Sequence, residues 1–63
     1  MQTTKQKTVA DFKADIRKYY NEIKYCRQDM SDGFITKEEY DEAYTQNVAL
    51  IDGAREAIEI MTA

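Results

Sequence analysis

Apolar residues in the first half of the chain recur at alternating steps of three and four, beginning at Val9 and ending at Met30. Such steps keep side chains on one face of an α-helix, and their strict alternation is the heptad pattern of helices that pack lengthwise. The first seam consists of Val9, Phe12, Ile16, Tyr19, Ile23, Cys26 and Met30. The pattern therefore predicts a long amphipathic helix.

The second half carries a similar but wider pattern. The second seam consists of Tyr40, Tyr44, Asn47, Ile51, Ala54, Ile58 and Met61. Ala43, Leu50 and Ala57 flank it on one side, and Val48 flanks it on the other. Because this apolar face is wider than contact with a single helix requires, we expect the second helix to touch more than one neighbour.

The ends of both predicted helices are marked by residues that satisfy free backbone groups. Thr8 is followed three residues later by Asp11, which is a short form of the N-terminal capping box. Thr36 and Glu39 repeat the arrangement at the start of the second helix. Gly33 can take the left-handed backbone conformation that closes a helix. The sequence contains no Pro to interrupt either segment.

These signals predict an all-α fold, an antiparallel two-helix hairpin with helices over about residues 8–31 and 36–61. The link between them is so short that the second helix must fold back on the first. Residues 1–7 are expected to form a flexible N-terminal arm, and residues 8–63 a single helical-hairpin domain.

Gly53 leaves two interpretations of the second helix open. A glycine inside a helix costs about 1 kcal/mol relative to alanine, so a break there would leave a short third helix over 54–62. The second seam, however, runs through this region in phase, and Gly53 lies off it. We therefore favour a continuous helix.

The composition excludes most catalytic and metal-binding chemistry for this chain. The chain has 63 residues with no His and a single Cys. It therefore has no imidazole to act as a base or as a nitrogen ligand for a metal, and it cannot form an internal disulfide. It also has no Gly-rich phosphate loop. We expect no enzymatic activity and no cofactor. The polar N-terminus resembles no signal peptide and no segment is apolar enough to span a membrane, so a cytoplasmic location or a place in a soluble particle is expected.

A hairpin of this size buries too little apolar surface to be stable without help. We expect it to be completed as a helical bundle, either by self-association, with a dimer favoured, or by docking on a larger protein. Asn47 on the second seam either fixes register and oligomer number or is solvated where the helices splay. The predicted interface residues are Val9, Phe12, Ile16, Tyr19, Tyr20, Ile23, Tyr25, Tyr44, Asn47, Ile51 and Ile58.

Charge is divided unevenly between the two halves. Residues 1–31 carry a net charge of +3 and residues 32–63 a net charge of −6. One explanation is attraction between the two antiparallel helices. Another is contact with phosphates through a basic face of the first helix. The candidate phosphate contacts are Lys13, Arg17, Lys24 and Arg27. A third is that the acidic second helix binds a basic partner or mimics nucleic acid.

Two other features are assigned structural roles. The stretch 28–39 matches a calcium-binding loop at Asp32, Gly33, Ile35 and Glu39. Gln28, however, stands where the leading carboxylate is usual, and Met30 offers a thioether, which does not suit a hard cation. No metal is therefore expected. Cys26 lies on the first seam without an activating base, so we expect a small buried hydrophobic side chain.

The run Gly33-Phe34-Ile35-Thr36-Lys37-Glu38-Glu39-Tyr40 resembles the turn of the SHOCT family of short helical hairpins and is similar to a turn in small tail-region proteins of bacteriophages. The resemblance implies an oligomerising or docking module, often an accessory to a larger assembly, and a phage-borne protein. The hairpin architecture also resembles that of Rop, a dimer that binds paired RNA loops. We thus predict a non-enzymatic protein–protein interaction module, either an assembly component or an inhibitor-like adaptor. The alternative is a Rop-like dimer that binds RNA or DNA.

Overall fold

The computed structural model describes residues 6–63, which form two helices that pack against each other. Helix α1 spans Val9–Ser31 and helix α2 spans Lys37–Thr62. The five residues between them reverse the chain, so the helices are antiparallel neighbours. The predicted all-α hairpin is confirmed, and its helix ends agree with the predicted bounds to within one residue.

Both helices begin with a reciprocal capping box. The Thr8 hydroxyl oxygen accepts a 3.2 Å hydrogen bond from the Asp11 backbone N–H, and the Asp11 carboxylate accepts one of 2.9 Å from the Thr8 N–H. Thr36 and Glu39 make the same two bonds at 3.1 and 3.0 Å. Each pair satisfies two backbone donors that would otherwise have no partner at a helix start.

Helix α1 ends in the motif that Gly33 predicted. Its φ angle of +84° is left-handed, a conformation in which a Cβ atom would be strained. The Gly33 N–H donates to the Met30 carbonyl at 3.1 Å, and the Phe34 N–H donates to the Asp29 carbonyl at 2.8 Å. These two bonds form a Schellman motif, which turns the chain toward α2.

The core between the helices is small. Ile23 on α1 and Ile51 and Ala54 on α2 are buried. Around them lies a ring of half-buried seam residues, which are Val9, Phe12, Ile16, Tyr19, Cys26, Met30, Tyr40, Asn47 and Ile58. The thinnest dimension of the hairpin is 15 Å, close to the diameter of one helix with its side chains. A single layer of helices therefore has two broad faces without cover.

Helix α2 continues through Gly53 without a break, which confirms the continuous interpretation. An added Cβ at Gly53 would have nothing within 4 Å, in agreement with its position off the second seam. The predicted N-terminal arm falls mainly on residues 1–5, outside the described residues. Lys7 of that arm contacts α1, since its Nζ lies 2.7 Å from Asp15 Oδ2 and 5.5 Å from the centre of the Phe12 ring.

Candidate functional site

The candidate interaction surface consists of large apolar side chains that the hairpin leaves in solvent. Their exposed fractions run from 45% to 78%. These residues are Tyr20, Tyr25, Phe34, Tyr44, Leu50, Ile60 and Met61. Within residues 6–63 they outnumber the three buried core residues, so a large part of the apolar side-chain area of the hairpin lies in solvent.

Helix α2 contributes to this surface because it has two apolar faces. Its inner face, which includes Ile51, Ala54 and Ile58, lies against α1. On another face, residues recur at steps of three and four from Ala43 to Ile60. We call this face the outer seam, and it consists of Ala43, Gln46, Leu50, Gly53, Ala57 and Ile60. No charged residue belongs to it, and its largest apolar members, Leu50 and Ile60, are 50% and 71% exposed. Ala43 and Ala57, which flank the inner face, are half-buried.

The predicted interface residues fall into two groups. Ile23 and Ile51 are buried, and six others are half-buried, namely Val9, Phe12, Ile16, Tyr19, Asn47 and Ile58. These eight lie on the seams of the hairpin. The three remaining residues, Tyr20, Tyr25 and Tyr44, are exposed. Tyr44 belongs to the second seam by its spacing, yet it is 45% exposed. Its ring lies 6.1 Å from that of Tyr40, one helical turn away.

Asn47 is satisfied within its own helix. Its Nδ2 donates a 2.8 Å hydrogen bond to the carbonyl oxygen of Ala43. The half-buried amide therefore has a partner for one of its donors without reaching across to α1. The hydrogen bond joins Asn47 to its own helix, and the expected role in register or oligomer number stays a prediction.

A contact that sequence patterns did not predict joins Tyr20 and Arg55. Arg55 Nη2 donates a 2.7 Å hydrogen bond to the Tyr20 hydroxyl. Tyr20 flanks the first seam and Arg55 follows the buried Ala54, so both residues lie beside the helix contact. The heptad pattern gave no indication of the pairing because neither residue belongs to a seam.

The outward side of α1 is polar and basic. The four candidate phosphate contacts, Lys13, Arg17, Lys24 and Arg27, are exposed. No ion pair joins any of these four to another residue of the range 6–63. A shallow hollow on this helix is lined by Ala14, Arg17, Lys18, Asn21, Glu22 and Tyr25. Arg17 and Tyr25 both line the hollow, whereas Lys13, Lys24 and Arg27 do not.

Other chemistry is not assembled in the described part of the chain. Residues 6–63 contain no group of three or more Cys, Asp or Glu side chains placed to hold a metal ion. Cys26, expected to be buried, is half-buried and carries a free thiol. No helix within residues 6–63 combines the length and apolar character needed to cross a membrane.

No family model matches this chain, and no curated protein or solved structure is significantly similar to it. The resemblance of residues 33–40 to the SHOCT turn and to phage tail-region proteins stays a prediction. The left-handed conformation of Gly33 and the Thr36 capping box account for residues of this run through local helix-end interactions alone.

Proposed function

We propose that this protein is a non-enzymatic interaction module that acts by docking its exposed apolar surface on another protein surface. The observation that carries the proposal is that residues 6–63 hold seven large exposed apolar side chains against three buried ones. Exposed apolar side chains that line up along one element are typical of surfaces that bind another protein, and Leu50 and Ile60 line up in this way on the outer seam of α2. We expect the module to act in the cytoplasm or within a soluble particle, as an assembly component or an inhibitor-like adaptor.

Tyrosine makes the proposed contact specific. Tyr20 and Tyr25 are 48% and 64% exposed on α1, and Tyr44 is 45% exposed on α2. Tyrosine is enriched among the residues that dominate binding energy because it offers a large apolar ring with a hydroxyl at its edge. These three residues are the proposed anchors on the partner.

Site-specific photo-crosslinking in cells of the source organism tests the proposal. A photoreactive phenylalanine analogue replaces Tyr25, Tyr44 or Leu50 in turn, and Glu38 on the charged start of α2 in a matched control. We expect the apolar positions to give discrete cross-links to protein, whether to this chain or to another, and the Glu38 position to give none above background. Absence of any protein cross-link at all three apolar positions would refute the proposed function.

A second candidate function is nucleic-acid binding through the basic side of α1. It is favoured by the exposure of Lys13, Arg17 and Lys24 without ion pairs to other described residues. Phosphate contacts release counterions, so binding of an RNA hairpin pair should weaken steeply with added salt, by roughly one power of the salt concentration for each contact. Fluorescence anisotropy at two salt concentrations, with the Lys13→Gln/Lys24→Gln variant as control, separates this activity from apolar docking.

A further inference from the structure

The outer seam of α2 has the order of large and small residues that an identical helix running in the opposite direction would complement. In antiparallel heptad packing, each a position of one helix faces a d position of the neighbouring helix. In the outer seam the a positions are Ala43, Leu50 and Ala57, and the d positions are Gln46, Gly53 and Ile60. The steps between successive members are three, four, three, four and three.

One register places every larger side chain opposite a smaller residue. When a two-fold axis lies between Ile51 and Asp52, Leu50 meets Gly53 of the second copy. In the same register Ile60 meets Ala43, and Gln46 meets Ala57. Facing layers that combine a large with a small side chain interdigitate without voids or clashes. A two-fold axis repeats each of these layers, so the chain is self-complementary over about 26 Å of helix.

Gly53 is the position of the outer seam that has no side chain and leaves space for one from a second copy. A Cβ atom there would meet nothing within 4 Å, and the backbone conformation is helical. A glycine inside a helix costs about 1 kcal/mol relative to alanine, and nothing within the hairpin requires it. Facing Leu50 of a second copy gives it a role, since a side chain at Gly53 would occupy the space of that leucine.

Charge is compatible with this register. The seam itself is uncharged, and the solvent-side flank carries Glu42, Ala49 and Glu56. In the stated register Glu56 lies nearest Ala49 of the second copy. The carboxylates of the acidic helix are thereby offset along the axis, and the repulsion that like charges directly opposite each other would cause is reduced.

We propose that the occupant of the outer seam is a second copy of this chain, packed α2 against antiparallel α2 in the register that pairs Leu50 with Gly53. The inference rests on the proposed function and names its partner. An interface of one helix pair is small, so the dimer forms reversibly and its population depends on concentration.

Disulfide trapping tests the register directly. In a Cys26→Ala background, the variants Ala43→Cys and Ile60→Cys are prepared separately, mixed, and oxidised under mild conditions. In the proposed dimer residue 43 faces residue 60, while two copies of residue 43 lie about 26 Å apart along the axis, too far for a disulfide. We expect a cross-linked dimer from the mixture and none from either variant alone. Cross-linking of a single variant with itself, or no cross-link in the mixture, contradicts the register.

A charge substitution tests the seam without reducing the stability of the hairpin. Gly53→Lys replaces a poor helix former by a good one in open space, so helicity should not fall. In the dimer, the added ammonium chain meets Leu50 of the second copy, and we expect the dissociation constant to rise by about tenfold or more. Thr45→Lys adds the same charge at an exposed position off the seam and should leave dimerisation nearly unchanged.

Sedimentation equilibrium from low micromolar to millimolar concentration gives the readout, with circular dichroism to verify folding. A chain that stays monomeric throughout, or a dimer that Gly53→Lys does not weaken, overturns the inference. Photo-crosslinks to a different protein alone would leave the proposed function standing while removing this partner. Absence of all protein cross-links would remove the proposed function itself.

Discussion

The hydroxyl oxygen of Tyr20 on α1 accepts a 2.7 Å hydrogen bond from Nη2 of Arg55 on α2. The bond joins residues that are 35 positions apart in the chain. It links the two helices at a point beside the small core. A directional bond to a charged donor restricts sliding in a way that apolar contacts do not.

Removing this hydroxyl should lower stability modestly. Because Tyr20 is about half exposed, water can replace the lost partner, and we expect Tyr20→Phe to cost about 0.5–1 kcal/mol. Urea unfolding followed by circular dichroism measures the change. Tyr25→Phe is the matched control, because that hydroxyl has no hydrogen bond within residues 6–63 and its loss should be neutral. Equal losses for both variants would contradict a specific role for the Tyr20 bond.

The two glycines should respond to alanine in opposite directions. Gly33→Ala forces a Cβ into a left-handed conformation and should destabilise the hairpin by about 1–2 kcal/mol. Gly53→Ala adds a methyl group to a helix where nothing lies within 4 Å, and it should stabilise the monomer by about 1 kcal/mol. Thermal melts at low concentration, where association is minimal, compare the two. A loss of stability from Gly53→Ala under those conditions would be inconsistent with an open site.

The cap at Thr36 should matter more than a threonine inside the same helix. Thr36→Ala removes the acceptor for the Glu39 N–H and should cost about 1 kcal/mol. Thr45→Ala is the control, since its hydroxyl bonds only to the Asp41 carbonyl of its own helix and alanine favours helix formation. Denaturant midpoints check the pair, and Thr36→Ser should restore most of the loss.

Isoleucines on the two faces of α2 should differ in their contribution to folding. Ile51 is 3% exposed and Ile60 is 71% exposed. Ile51→Val removes a buried methylene and should cost about 1 kcal/mol, whereas Ile60→Val should change the monomer by less than about 0.5 kcal/mol. Chemical unfolding at low protein concentration gives both values. A large effect of Ile60→Val in dilute solution would contradict its exposed position.

The pair formed by Lys7 and Asp15 should give a pH-dependent stabilisation of the start of α1. The hydrogen bond that the Lys7 ammonium donates to Asp15, together with the negative charge of that carboxylate, raises the pKa of Lys7 above its ordinary value of 10.5. A lysine pKa that is higher in the folded state stabilises that state fully below the unfolded pKa. The contribution is then lost as the pH rises through the raised value. NMR titration of Lys7 and amide exchange in residues 8–15 measure this, with Lys7→Gln expected to remove the dependence.

Local chemistry made the helices predictable. The capping boxes at Thr8 and Thr36 and the left-handed Gly33 involve residues only a few positions apart, so their letters specify the helix ends directly. The heptad steps likewise identified Ile23 and Ile51 as inner residues, and both are buried. The in-phase seam favoured a continuous α2 over a break at Gly53, and α2 does run through that residue.

The site was less predictable because exposure depends on how the helices are rotated against each other. Tyr44 belongs to the second seam by spacing, yet it is 45% exposed. Cys26 belongs to the first seam, yet it is half-buried. A wide apolar face on α2 was evident from Leu50 and its neighbours, but the sequence did not show which part would face α1.

The sequence alone therefore determined two helices, their caps, their turn and the antiparallel hairpin, because each follows from interactions between residues near in the chain. Only the tertiary structure decided that Arg55 bonds Tyr20 and that the outer seam of α2 stays open. Those outcomes depend on the rotation and axial shift of one helix on the other, which many distant side chains set together.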